Sequence, residues 1–299
     1  MKLLVFIAAS FLFPGTTGSK KQQLLNICQE YLPEQYAFLE AYSDESVNQM
    51  AKGDSLAEYL LELPTVIHEA NHHYNGEKGP AINKTRYYFK SGDEKFEVEV
   101  FPVFPSSEIN QYAPTSDKKK IFRYSTYITS NTPHLDSRVN GIFGLLEEMN
   151  AYYQSMTTSL SLFDYYKDKY GFSNPDVWVN WLGSIGSYRY SLNEFSLFIS
   201  WYLQTAKAAY PDVYKRICNS AQVKTMYRFL HEQNLAMQQE YNDCLKEITD
   251  NSGNTLNVYN GAIFNKKTGR GYGLGDDRLQ QTQEILNRPE HNILGVLLR

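Results

Sequence analysis

Cysteine is scarce in this 299-residue chain, with three residues, Cys28, Cys218 and Cys244. None belongs to a C-x-x-C pair, so a thiolate metal site is not expected. Three scattered cysteines are also too few for a disulfide scaffold. Cys218 and Cys244 both fall in a helical region and could bridge neighbouring helices, which leaves Cys28 unpaired. A basic excess is missing too: the net charge is −4 and the pI about 5.9. That argues against nucleic acid, whose binding needs a basic face. The one strongly basic run, Lys118-Lys119-Lys120, reads as a solvated turn. No apolar run reaches the roughly 20 residues that span a bilayer. The N-terminal run covers residues 3–13 only, preceded by Lys2 and followed by Pro14, Gly15 and small residues up to Gly18. Residues 1–18 therefore read as a signal peptide. The expectation is a soluble exported chain, secreted or periplasmic. No Cys stands just after the run, so lipid attachment is not expected.

The chain has no internal repeat and no long linker. Residues 19–299 read as a single α+β domain, predominantly helical, and 42% hydrophobic residues suffice for its core. Residues 22–63 read as helices. Ser55 and Glu58 form the S-x-x-E capping box that opens one of them. Pro64 is expected to end that helix and start another. The second would carry VIHEANHHY and stop near Gly76. Residues 84–130 form a β-rich segment: KTRYYFK, EKFEVEVFPVF and KIFRYSTYITS predict a small antiparallel sheet of about three strands. Helical patterning returns from about 137 to 250, and residues 251–299 form a C-terminal extension. Its TGRGYGLGDD stretch has four glycines but neither G-x-G-x-x-G nor GK[ST], and Asp276 and Asp277 would repel an anion. It reads as a flexible loop that could edge a cleft.

Histidine, with six residues, is nearly as rare as cysteine, yet VIHEANHHYN (residues 66–75) holds three of them. His68, Glu69 and His72 fit H-E-x-x-H, a pattern that random placement gives in about one in a hundred such chains. On a helix His68 and His72 lie one turn apart on the same face, where both imidazoles can bind one Zn²⁺. Glu69 flanks the first ligand without binding the metal, placed to take a proton from an activated water. His73 points about 100° away and reads as a neighbouring or surface group.

A catalytic zinc needs a third protein ligand and one open position. The extended HExxHxxGxxH is absent. The best candidate lies in NGIFGLLEEMNAYYQSM, residues 140–156. On the helical wheel Glu148 lies about 100° from the centre of the apolar face and Glu147 about 160°. Glu147 is therefore expected to face water. Glu148 sits at the border, where a carboxylate can reach a metal between packed helices. A structural zinc takes four protein ligands, and three good ones favour catalysis.

HEANH followed by Glu148-Met149-Asn150-Ala151 resembles the gluzincin metallopeptidases. These pair HExxH on one helix with a glutamate on a later helix, often in E-x-x-A. The resemblance covers two short stretches. It implies a zincin-like fold with the β segment between the two metal-bearing helices. It also implies zinc ligands His68, His72 and Glu148, Glu69 as general base, and a peptide or protein substrate. Several members carry Asp directly after the Ala, where it can orient a ligand histidine. Here Tyr152 stands there, so the support around the ligands must be built otherwise.

Two further readings are weighed against the peptidase. Aromatic residues make up 14% of the chain, and Trp178 and Trp181 could stack on sugar rings in a carbohydrate-processing protein. Helical spacing instead makes them core residues. A non-catalytic metal-binding protein is the third. Tyr188, Tyr190 and His231 could serve as oxyanion donors but read as packing residues.

Overall fold

From Gly141 to Ala151 every residue is buried, and this stretch opens the helix around which the chain is built. The computed structural model describes residues 18–79, 84–132 and 136–299. The apolar run at 3–13 and His134 lie outside the described residues. The structure is 69% helical, so the two small antiparallel sheets are additions to a helical body. Among the described residues, the helices of seven or more residues are α1 (Lys20–Tyr31), α2 (Pro33–Ala41), α3 (Asp44–Met50), α4 (Leu56–Lys78), α5 (Gly141–Tyr170), α6 (Pro175–Gly186), α7 (Ser191–Ala209), α8 (Pro211–Asn219), α9 (Ala221–Asn251) and α10 (Asp276–Leu286). The strands are β1 (Thr85–Phe89), β2 (Lys95–Glu99), β3 (Leu256–Tyr259), β4 (Ala262–Asn265) and β5 (Gly271–Gly273).

Helix α5 is buried on nearly all sides over its first half, its polar residues Glu147, Glu148, Asn150 and Gln154 included. It packs against α4, α7 and α9. Its start is fixed by Gly141, at φ +52°, where a Cβ would overlap the Phe104 carbonyl and the Tyr202 hydroxyl. Only glycine meets both demands.

Helix α4 opens on the expected capping box, with Ser55 and Glu58 satisfying each other's backbone N–H. It does not break at Pro64. A proline inside a helix costs about 3 kcal/mol or more. Leu60, Leu63, Val66 and Ile67, next to it, are almost wholly buried, each worth about 1.5–3 kcal/mol. That burial, against α5, α1 and α2, outweighs the lost hydrogen bond and carries one helix through. Nor does it stop at Gly76: it runs to Lys78, and Gly79 turns the chain away in an extended conformation.

The β-rich segment holds two paired strands rather than three, β1 and β2 in antiparallel register with Tyr87 opposite Glu97. KIFRYSTYITS is instead a turn and a short helix, Tyr124–Tyr127. Its β propensity is overridden by a tertiary anchor. Glu194 of α7 accepts from the Phe122 backbone N–H (2.6 Å) and pairs with Arg123 (2.9 Å), while Tyr127 packs on Phe195.

The glycine-rich stretch is likewise not a free loop, and it does not line the pocket that holds His68 and His72. It supplies β5 of the β3–β4–β5 sheet, which packs on α6. Gly275, at φ +76°, starts α10 where a Cβ would overlap the Gly186 carbonyl. Asp276 and Asp277 then occupy the first turn of α10, favourable positions for acids at a helix start. All three cysteines are free, so no Cys218–Cys244 bridge forms. Among the described residues no helix is long and apolar enough to cross a membrane.

Candidate metal centre

Helices α4 and α5 bring the three expected ligands together. His68 Nε2 lies 3.2 Å from His72 Nε2 and 3.6 Å from Glu148 Oε2, and His72 Nε2 lies 3.5 Å from the same oxygen. Tetrahedral zinc at about 2.0–2.1 Å from each ligand spaces its ligand atoms by about 3.3–3.4 Å. The triangle therefore has the size of one face of such a site. Glu148 Oε2 is buried and has no hydrogen-bond partner. A buried carboxylate oxygen left so is costly, and a cation at the centre of the triangle removes that cost. Among the described residues, these form a group of side chains that could hold a metal ion.

The protons are arranged to suit. His72 Nδ1 lies 3.1 Å from Glu147 Oε1, an acceptor, so Nδ1 carries a proton and Nε2 is the nitrogen left to bind a cation at the centre. His68 Nδ1 faces the Ser155 hydroxyl at 3.4 Å, and Ser155 donates in turn to the Pro64 carbonyl at 3.1 Å. Burial works to lower the pKa of His72, but hydrogen bonds to Glu147 and Glu148 carry it well above its ordinary value, so a cation binding at Nε2 displaces a proton from that ring. Burial likewise works to raise Glu148, yet the two imidazoles hold it down to about 2. The carboxylate is thus ionised, ready to neutralise a cation.

Glu147 overturns its expected place on the surface. It is 6% exposed, and it accepts from Asn75 Nδ2 at 2.8 Å as well as from His72. The wheel placed it opposite the apolar face on the assumption that α5 had one buried side. Since α5 is enclosed all round, that direction also points into protein. The available signal was that Glu147 shares one side of the helix with Asn150 and Gln154, a polar row within a buried stretch. Buried polar groups of this kind had to be partnered.

The centre opens on a cleft of about 980 Å³, which Glu69, half-buried, also lines. β1 forms part of the opposite wall with Thr85, Arg86 and Tyr87. Tyr127 reaches the same cleft, its hydroxyl 2.9 Å from that of Tyr152. Burial, and then the charge of Glu148, push the Tyr127 phenol well above its ordinary pKa, so it stays a proton donor. Tyr152 occupies the place of the expected Asp. Its ring meets His68 edge-on at 4.6 Å, and the Arg123 guanidinium stacks on it at 4.4 Å. It packs the ligand rather than hydrogen-bonding it. Sequence reading missed Tyr127 because 24 tyrosines offer no local signal to choose one.

The remaining candidates fall elsewhere. His73 is half-exposed beside Glu77. Tyr188 bonds Thr65, Tyr190 packs with Phe122 and Arg123, and His231 stacks on Tyr227. Trp178 and Trp181 are at most 1% exposed and donate to backbone carbonyls, so neither offers a face to a sugar ring. Comparison with protein-family models, curated proteins and solved structures gave no match.

Proposed function

We propose that this chain is an exported zinc metallopeptidase with a zincin-like fold, hydrolysing peptide bonds in a peptide or protein substrate. One observation carries the reading: two imidazole nitrogens and a buried, unpartnered carboxylate oxygen converge within 3.6 Å of one another beside a cleft that Glu69 lines. His68, His72 and Glu148 hold the ion. Zinc is favoured over harder cations because two of the three donors are imidazoles. Bound there, it supplies Lewis acidity toward a peptide carbonyl and toward water.

The chain's own residues do the rest. Glu69 accepts the proton of the attacking water and passes it to the leaving amine. Tyr127 donates to the oxygen on which negative charge develops. Glu147 keeps His72 in the tautomer that binds metal. The apolar run at residues 3–13 supports export.

The test is a pair of measurements on purified wild type and Glu69→Gln. Both should carry about one zinc per chain, and only the wild type should cleave an unfolded protein substrate, with cleavage stopped by chelator. Hydrolysis by Glu69→Gln at the wild-type rate removes the base from this reading. A wild type that binds zinc but cleaves nothing favours a non-catalytic metal-binding role.

A further inference from the structure

The last residue of β1, Phe89, is fastened to the metal-bearing helices by side-chain amides. Its backbone N–H donates to Asn75 Oδ1 at 2.9 Å. Its carbonyl accepts from Asn71 Nδ2 (3.3 Å), Asn150 Nδ2 (3.0 Å) and Gln154 Nε2 (3.2 Å). Asn71, Asn150 and Gln154 are wholly buried, and Asn75 is 6% exposed. Four ordered amides in a helical interior are expensive to enclose unless each bond is made.

Asn75 differs from the other three. Its carbonyl faces Phe89, and its Nδ2 donates to Glu147 Oε1, the oxygen that accepts from His72 Nδ1. The amide cannot be turned round. Phe89 N–H is an obligate donor, so the atom facing it is Oδ1, and Nδ2 is left to face the carboxylate. One side chain thus joins the strand that walls the cleft to the carboxylate that aims a metal ligand. Sequence alone puts Asn75 one turn beyond His72 on the same helix, which brings it to the same oxygen.

Resting on the metal reading above, we propose that Asn75 is a positioning residue for the metal centre: its amide locks Glu147 against His72 and ties that alignment to the docked β1 strand. Metal affinity then depends on a group that never touches the ion. Asn75→Asp is the sharpest variant. It keeps an acceptor for Phe89 N–H but sets a carboxylate against Glu147, so Glu147 must shift away from His72. Asn75→Ala removes both bonds without adding repulsion. Gln154→Ala loosens the same strand without touching Glu147.

Affinity is read by competition with a chromophoric chelator, using zinc alone, and ligand geometry by the visible spectrum of the Co²⁺-loaded protein. Asn75→Asp and Asn75→Ala are expected to lose about 10–100-fold in zinc affinity, the usual effect of removing a residue that supports a ligand. The cobalt spectrum should shift with it. Gln154→Ala should melt at a lower temperature yet bind zinc within about threefold of wild type, since it leaves His72 and its partner in place. Should Asn75→Asp fail to melt cooperatively, Asn75→Ala is read alone. Wild-type affinity and spectrum in the readable Asn75 variant overturn the proposal, as does an equal affinity loss in Gln154→Ala, which would reduce the effect to general loosening. A wild type that takes up neither metal overturns the metal reading itself, and this inference with it.

Discussion

His72 Nδ1 and Glu147 Oε1 stand 3.1 Å apart across the α4–α5 interface, and Glu147 directly precedes Glu148 in the chain. On the proposed reading neighbouring glutamates have separate tasks: Glu148 would face the ion and Glu147 would orient a histidine. Replacing Glu147 by Gln keeps the size and one acceptor but removes the charge. Zinc affinity is expected to fall about 10–100-fold. Chelator competition measures it, and an unchanged dissociation constant would show that the carboxylate is not needed to orient His72.

Metal binding should also register as stability. An ion that binds only the folded chain stabilises it by about 4 kcal/mol at a thousandfold excess over Kd. For a chain of this size that raises Tm by about 6–7 °C. Calorimetry with and without zinc should show the difference in wild type and lose it in Glu148→Ala. A zinc-dependent shift that survives in Glu148→Ala would place the ion elsewhere.

Tyr127 lines the cleft, its hydroxyl bonded to that of Tyr152 and its ring packed on Phe195. Removing one oxyanion donor typically costs about 10²–10³ in kcat. Tyr127→Phe keeps the ring and its packing, so zinc content and Tm should stay near wild type while kcat falls by that order and KM changes little. Equal turnover in the variant would return Tyr127 to a packing role.

What was legible beforehand follows the range of the interactions. His68 and His72 were readable because their ligating geometry is set within one helical turn. Glu148 was readable from its border position on α5 together with a short resemblance. Glu147 and Tyr127 were not, because their partners lie on other elements: Glu147 meets His72 across 75 positions of sequence. The misread strand at KIFRYSTYITS has the same origin. Its local β propensity is real, but Glu194, 71 positions from Arg123, decides the conformation. At Pro64 local chemistry pointed to a break, and burial against three other helices outweighed it.

The Arg123–Glu194 pair offers a check on that last kind of interaction and on how the centre is supported from behind. Arg123 and Glu194 are 5% and 1% exposed, and Arg123 also donates to the Ser187 carbonyl at 2.7 Å while stacking on Tyr152. Burial raises the Glu194 pKa, and Arg123 opposes that rise. Removing one member of a buried pair strands the other's charge and costs about 3–5 kcal/mol. Glu194→Leu should therefore lower Tm by about 5–8 °C for a chain of this size. The double variant Arg123→Met with Glu194→Leu leaves no stranded charge and should recover much of the loss. It would also take the guanidinium off the Tyr152 ring that packs His68, so zinc affinity is expected to weaken in the double variant even where Tm recovers. Recovery of both together would show that the pair sustains the fold alone and has no hold on the ligand.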